Sequence, residues 1–120
     1  MSRTDPAKAV AAVIAAYAEG TRSRDTAALA ALFHPCAVMV GHVGPDLLTG
    51  GPQPFFDSLA ANNPGPAYAW AITEVSVIGA TATATLVEDG LFGRSFVNRF
   101  HLIREGESHW RITAKLFHHD

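Results

Sequence analysis

The sequence predicts an α+β fold in which N-terminal helices pack on one face of a strongly curved, mostly antiparallel sheet. Apolar residues recur at helical spacing through the first half of the chain, whereas the second half alternates apolar and polar residues as strands do. The alternation is strongest in 81-TATATLVE-88 and 109-HWRITAKLF-117. With the helices across the concave side of such a sheet, we expect an apolar pocket between the two layers.

Length and composition are those of an ordinary globular chain. With 120 residues, of which 48% are hydrophobic and 17% charged, we expect one domain spanning residues 1–120. The formal charge is −2 and no basic run occurs, so nucleic acid and anionic membranes are not expected partners. The single cysteine, Cys36, cannot form an internal disulfide, which fits a cytoplasmic protein.

One apolar segment near the start needs a separate interpretation. The run 9-AVAAVIAAYA-18 has the length of a secretory h-region, but Asp5 and Pro6 interrupt the leader before it. We therefore interpret the run as a retained amphipathic helix, consistent with a cytoplasmic location. No apolar run is long enough to span a bilayer.

Two helices are expected before the first strand. Asp5 can cap the first helix, Pro6 fits its first turn, and Gly20 fits just past its end. A second, short helix begins near residues 25–26 and ends before Pro35. Their apolar stripes are Val10, Val13, Ile14 and Tyr17 in the first helix and Leu29, Leu32 and Phe33 in the second.

Strands and one further helix account for the rest of the chain. The run 37-AVMVGHV-43 predicts a strand, followed by the turn 44-GPD-46, a short return strand at 47–50 and a helix at 52–62. Four long strands then follow near residues 67–78, 81–89, 93–104 and 109–118.

One register of the last two strands keeps charged residues off the inner face of the sheet. In this register the inner face is apolar except for Asn98 and His118. The pairs on this face are Leu102–Ile112, Phe100–Ala114, Asn98–Leu116 and Phe96–His118.

The outer face of the sheet then mixes charges with large apolar side chains. Lys115 lies on this face beside Arg99, where a solvated surface explains it better than catalysis does. The apolar residues expected here are Trp70, Ile72, Val87, Val97, Ile103 and Phe117. If they lie together, they form too much apolar surface for a monomer, and we expect a homodimer through this outer sheet face.

His34, Cys36 and His42 lie within nine residues of one another and raise the question of a metal site. Zinc needs ligands that converge on one point, yet His34 and His42 fall at opposite ends of a predicted strand, about 20 Å apart. We therefore expect no metal site, with His34 at a helix end and Cys36 acting as a small core residue.

Seven residues are predicted to line the pocket: Tyr17, Met39, His42, Phe56, Asn98, Phe100 and His118. Asn98 and His118 are polar groups on an apolar face, so they need partners that a ligand could supply. Alternatively, each bonds a neighbouring backbone group, or His118 lies in solvent past the sheet end. His42 fits either a pocket mouth or a solvated turn, and the remaining four fit ordinary packing.

Three features in order carry a family resemblance: 10-VAAVIAAYAEGTRSRD-25 followed by 29-LAALFHPCAVMVG-41, 55-FFDSL-59 after a short strand, and the ending 109-HWRITAKLFH-118. With these features the chain resembles the nuclear transport factor 2-like superfamily, specifically its SnoaL-like and putative lumazine-binding branches. The resemblance implies a cone-shaped α+β roll of the cystatin-like type, usually homodimeric. Members include isomerases, dehydratases, polyketide cyclases and ligand-binding proteins, so fold alone does not fix function.

Two positions depart from the family pattern. Members often carry an acidic residue after the Phe-His-Pro turn, where this chain has Cys36, and an aspartate in the penultimate strand, where it has Asn98. An amide cannot act as a general base, which weakens any transfer of acid–base catalysis.

Three functions remain open from the sequence. The first is a small-molecule pocket protein that binds an apolar or aromatic ligand. The second is a cofactor-independent isomerase, dehydratase or cyclase in which His118 or His42 moves a proton and Asn98 or Tyr17 holds an oxyanion. The third is a dimeric scaffold with a vestigial pocket. No glycine motif or metal-ligand pattern indicates a cofactor.

Overall fold

The computed structural model describes residues 5–119, which form three helices and six strands. All three helices precede the last four strands, as predicted, and a hairpin of two strands lies between the second and third helix. The elements are α1 (Pro6–Ser23), α2 (Thr26–Leu32), β1 (Phe33–Val43), β2 (Asp46–Leu48), α3 (Gln53–Ala61), β3 (Ala69–Ile78), β4 (Thr81–Leu91), β5 (Arg94–Glu105) and β6 (His109–His119).

The six strands form one mixed sheet in the order β2-β1-β6-β5-β4-β3. All neighbouring pairs are antiparallel except β1 and β6, which run parallel. The helices and the inner face of the sheet enclose one apolar core, so the predicted α+β architecture of helices on a mostly antiparallel sheet is confirmed. No helix within residues 5–119 is long and apolar enough to cross a membrane.

The end of α1 differs from the prediction. Gly20 lies inside the helix and is buried, and a Cβ built there would lie 3.0 Å from the Leu29 side chain. The glycine therefore allows α1 and α2 to approach closely instead of ending α1. Arg24 ends the helix in the left-handed conformation, with φ at 59°. Its guanidinium donates to the carbonyl oxygens of Leu59 and Ala60, at 2.7 and 2.9 Å, and so satisfies the last turn of α3.

A β-bulge corrects the predicted register of β5 and β6. Leu102 does pair with Ile112, but the register shifts by one residue there, and His101 pairs with Ala114. Thr113 is the extra residue, and its hydroxyl donates to the His101 carbonyl at 3.1 Å. Beyond the bulge every β6 side chain changes face. The prediction that His118 faces inward is therefore wrong.

The bulge also moves three neighbours of His118. Lys115, expected on the outer face, is buried at 4% exposure opposite Phe100. Phe117, expected outside, is inside, and Leu116, expected inside, is exposed.

A second bulge, in β3, changes the outer face. The register shifts between Ile72 and Glu74, so Thr73 is the extra residue. Trp70 and Ile72 consequently pack against the core together with Val75 and Val77, instead of pointing outward as predicted.

Candidate functional site

A cavity of about 590 Å³ lies between α3 and the sheet, and we call it the α3 cavity. Phe55 of α3 forms one wall, and Met39 of β1 lies across from it. Phe92, in the turn between β4 and β5, lines the cavity at the end of the hairpin that these two strands form. The β6 residues Lys115 and Phe117 form the floor. Apolar and aromatic groups thus flank this amine, and polar side chains, among them Arg94, line other parts of the cavity.

Lys115 is a buried cation held by an aromatic environment. Its Nζ atom is hydrogen-bonded to the hydroxyl of Tyr17, and it lies 4.4 Å from the ring centre of Phe55 and 5.4 Å from that of Phe117. Ring faces attract cations, so these contacts offset part of the lost hydration. Burial nevertheless lowers the pKa of Lys115 to about 8, against a smaller opposing effect of the Glu88 charge.

Tyr17 links this amine to the core. The residue is fully buried on α1, and its ring stacks on Phe55 with 5.9 Å between centres and meets Phe100 edge-on at 5.0 Å. Burial, followed by the charge of Glu88, raises the pKa of Tyr17 well above its ordinary value. Its hydroxyl therefore stays protonated at every physiological pH and can both donate and accept a hydrogen bond.

Glu88 is the anionic counterpart, buried at 1% exposure on β4. The Tyr68 hydroxyl and the Asn98 amide nitrogen each donate to its carboxylate at 2.5 Å. Burial and the neighbouring carboxylate raise the pKa of Tyr68, so this hydroxyl remains a donor. With Tyr17 and Lys115, these three residues form what we call the interior polar cluster.

The charges of this cluster are separated. The ion pairs among residues 5–119 join Arg22 to Glu19 and Arg111 to Glu105, so no described carboxylate pairs directly with Lys115. Glu88 is satisfied by hydrogen-bond donors, and Lys115 keeps capacity for an acceptor supplied from the cavity.

The seven predicted pocket residues have different positions. Met39 lines the α3 cavity, whereas Tyr17 is not among the lining residues and contacts one of them, Lys115, through its hydroxyl. Phe56 and Phe100 are buried in the core cluster and are not among the cavity-lining residues. Asn98 is fully buried and faces inward as predicted, bonded to Glu88, and its Oδ1 atom has no partner within the described chain.

The two predicted histidines lie on the other side of the sheet. His42 and His118 are both exposed and pair across β1 and β6, with ring centres 6.3 Å apart. Neither faces the α3 cavity: the bulge moves His118, and His42 alternates with the buried Met39 and Gly41. The prediction that these side chains serve an inner site is wrong.

Lys115 was missed because strand alternation counted from Leu102 and Ile112 placed it outside. The sequence holds one indication against that register. It required the large ring of Phe117 to point outward and the polar His118 to point inward, whereas the opposite arrangement buries more apolar surface.

The residues considered for a metal do not converge. Cys36 is exposed, and its backbone N–H donates to His34 Nδ1 at 3.1 Å, while His42 lies near the far end of β1. Within residues 5–119 no group of three or more histidine, cysteine, aspartate or glutamate side chains is placed to hold a metal ion.

Nearly the whole chain matches a known protein family. The family model described as "Putative lumazine-binding" matches residues 5–118. No curated protein sequence matches the chain.

Several solved structures share the fold. A nuclear transport factor 2-like protein of unknown function from Shewanella baltica OS155 is 26% identical, with a TM-score of 0.85 over 94% of this chain and 92% of the other. One from Silicibacter pomeroyi DSS-3, also of unknown function, is 27% identical, with a TM-score of 0.83 over 94% of each chain. A "putative dehydratase" from Streptomyces avermitilis is 22% identical, with a TM-score of 0.69 over 95% of each chain, and this likeness concerns the fold alone.

Proposed function

The chain belongs to the putative lumazine-binding family of nuclear transport factor 2-like proteins, and on that premise we propose that it binds a small aromatic molecule in the α3 cavity. The observation that carries the proposal is the amine of Lys115 at the floor of a mostly apolar cavity, without a carboxylate partner among the described residues. A ligand with one acceptor oxygen directed at this amine would complete the site.

The size and walls of the cavity support a ligand of this kind. Ligand pockets commonly enclose about 300–1,000 Å³ and combine apolar walls with few polar groups, and the α3 cavity has about 590 Å³. The rings of Phe55, Phe92 and Phe117 offer faces and edges for stacking.

The charge of Lys115 supports a carbonyl or anionic oxygen on the ligand. A hydrogen bond from a buried ammonium gains more than one made in water, because the competing solvent is removed. An anionic ligand would favour the charged form and raise the pKa of Lys115 from its lowered value of about 8.

Calorimetric titration tests the proposal with two aromatic probes, lumazine, which carries carbonyl oxygens, and 2-naphthoate, which carries a carboxylate. We expect saturable binding of at least one, weakened about tenfold or more in Lys115→Met, since a hydrogen bond to a charged group contributes about 1.5–3 kcal/mol. Lys8→Met is the matched control, because Lys8 is the other lysine of the chain and is exposed on α1. Absence of saturable binding to both probes, or equal affinity in Lys115→Met, would overturn the proposal.

If the protein is an enzyme, the residues that move the proton differ from those expected from the sequence. A proton-moving role in the cavity falls to Lys115 and Tyr17, because His42 and His118 lie on the opposite face. Their hydrogen-bonded hydroxyl and amine could hold a developing oxyanion, as an isomerase or dehydratase requires.

A further inference from the structure

Lys115 has a nucleophilic capacity that simple ligand binding does not use. We propose that the α3 cavity takes aromatic aldehydes and ketones and that the Lys115 amine condenses reversibly with their carbonyl carbon to form an imine. This inference rests on the proposed function and names its substrate class.

The placement of the amine is the first support. Lys115 is 4% exposed, yet it belongs to the cavity floor, so a ligand in the α3 cavity meets its side chain with little water between them. Phe55 and Phe117 flank the amine at 4.4 and 5.4 Å from their ring centres. An aromatic ring held between these walls carries a carbonyl substituent toward the nitrogen.

The protonation state is the second support. A lysine nucleophile must be neutral, and desolvation disfavours its charged form. Burial lowers the pKa of Lys115 to about 8, so near that pH about half of the amine is unprotonated. The groups that act on it from the packed elements are the Tyr17 hydroxyl of α1 and the Glu88 carboxylate of β4, with Arg94 of β5 at the cavity wall.

Tyr17 supplies the proton path. The nitrogen lone pair attacks the carbonyl carbon, a C–N bond forms, and the carbonyl oxygen receives a proton through the Tyr17 hydroxyl, which regains one from the nitrogen. The resulting carbinolamine loses its hydroxyl group together with the remaining nitrogen proton as water, and the C=N bond forms. The balance is amine plus carbonyl to imine plus water, with no oxidant, reductant or metal required.

Reductive trapping tests the inference on the full chain. The probe is 6-methoxy-2-naphthaldehyde with sodium cyanoborohydride, and intact mass followed by peptide mapping identifies the modified amine. Lys8 is the internal comparison in the same molecule, since it is the other lysine of the chain and is exposed on α1. We expect Lys115 to be trapped at least about tenfold faster than Lys8 at pH 8, because burial lowers the pKa of Lys115 to about 8 and the cavity holds the aldehyde beside its amine.

Variants test the nucleophilic amine and the proton path separately. Lys115→Arg keeps a cation without a nucleophilic amine and should abolish the mapped adduct, whereas Lys8→Arg should retain it. Tyr17→Phe should slow trapping at Lys115, because it removes the hydroxyl that carries the proton. The trapping rate at Lys115 should rise between pH 6 and pH 8, as the neutral fraction of its amine increases toward the pKa of about 8.

Two outcomes overturn the inference without ambiguity. Trapping at Lys8 alone, in a protein that still binds lumazine or 2-naphthoate, removes the imine and leaves the binding proposal standing. Trapping at Lys115 that an excess of the non-carbonyl competitor 2-methoxynaphthalene does not slow places the reaction outside the cavity. Because the adduct is mapped in the unsubstituted chain, the test remains decisive even where a variant fails to fold.

Discussion

The amine of Lys115 is hydrogen-bonded to the hydroxyl of Tyr17, which joins β6 to α1 by a polar contact inside an apolar core. A buried amine of this kind weakens the folded state when it is charged, because its ammonium form was better hydrated in the unfolded chain. Stability and ligand recognition therefore depend on the same atom.

The first prediction concerns pH. The folded pKa of Lys115, about 8, lies below the ordinary 10.5, so the unfolded chain binds more protons between these values and stability rises as pH increases. Relative to Lys115→Met, the unsubstituted protein should gain about 3 kcal/mol of unfolding free energy between pH 7 and pH 10.5. Urea unfolding across this range measures the difference. A constant difference between the two proteins would contradict the lowered pKa.

The second prediction concerns Glu88. Glu88→Gln replaces the charged acceptor of Tyr68 and Asn98 with a neutral amide that also brings donors of its own. We expect a loss of about 2–3 kcal/mol in unfolding free energy, measured by urea titration at pH 7. Asp89→Asn is the matched control, because the neighbouring Asp89 is exposed and bonds only at the surface to Ser95. Equal effects of the two substitutions would show that the buried carboxylate has no special role.

The third prediction concerns Gly41. A Cβ built on this residue would lie 1.9 Å from the Phe117 carbonyl oxygen and 2.6 Å from its ring, so β1 and β6 could not keep their spacing. Gly41→Ala should therefore lower the unfolding free energy by more than about 2 kcal/mol and weaken any cavity ligand, since Phe117 forms part of the floor. Gly51→Ala is the control, because its Cβ would meet only the Ala37 carbonyl oxygen, at 3.7 Å. Thermal unfolding compares them, and a Gly41→Ala protein as stable as Gly51→Ala would refute the close approach.

The fourth prediction concerns assembly through the outer sheet face, which we propose as a homodimer interface with corrected residues. Val38, Leu116 and Val97 lie on the neighbouring strands β1, β6 and β5 and are 45%, 46% and 41% exposed. Leu116→Glu should convert a dimer into monomers, because it places a charge at the centre of this patch. Ile78→Glu, at the end of the edge strand β3 and 78% exposed before substitution, should leave the dimer intact. Light scattering at micromolar concentration decides, and a mass near 12.7 kDa for the unsubstituted chain would end the proposal.

Sequence reasoning predicted the order of elements because that order rests on long periodic patterns and strong turn residues. It also predicted the buried stripe of α1, from Val10 to Tyr17, and the inward position of Asn98. The inward position of Lys115 could not be predicted in this way, because Thr113 adds one residue to β6 and ordinary strand residues carry no mark of a bulge. After one such residue, inner and outer positions exchange along the rest of the strand.

The extra residue in β6 has a consequence for comparing strands of this kind. Because Thr113 stands outside the ladder, the pairs Leu102–Ile112, His101–Ala114 and Phe100–Lys115 would remain after its removal, and Lys115 would still face the cavity. If Thr113 were instead paired with His101, each later residue of β6 would move by one position, so Lys115 would turn outward and Leu116 would reach the floor. The position of the amine therefore depends on whether one threonine is paired, with no change in any residue that lines the cavity.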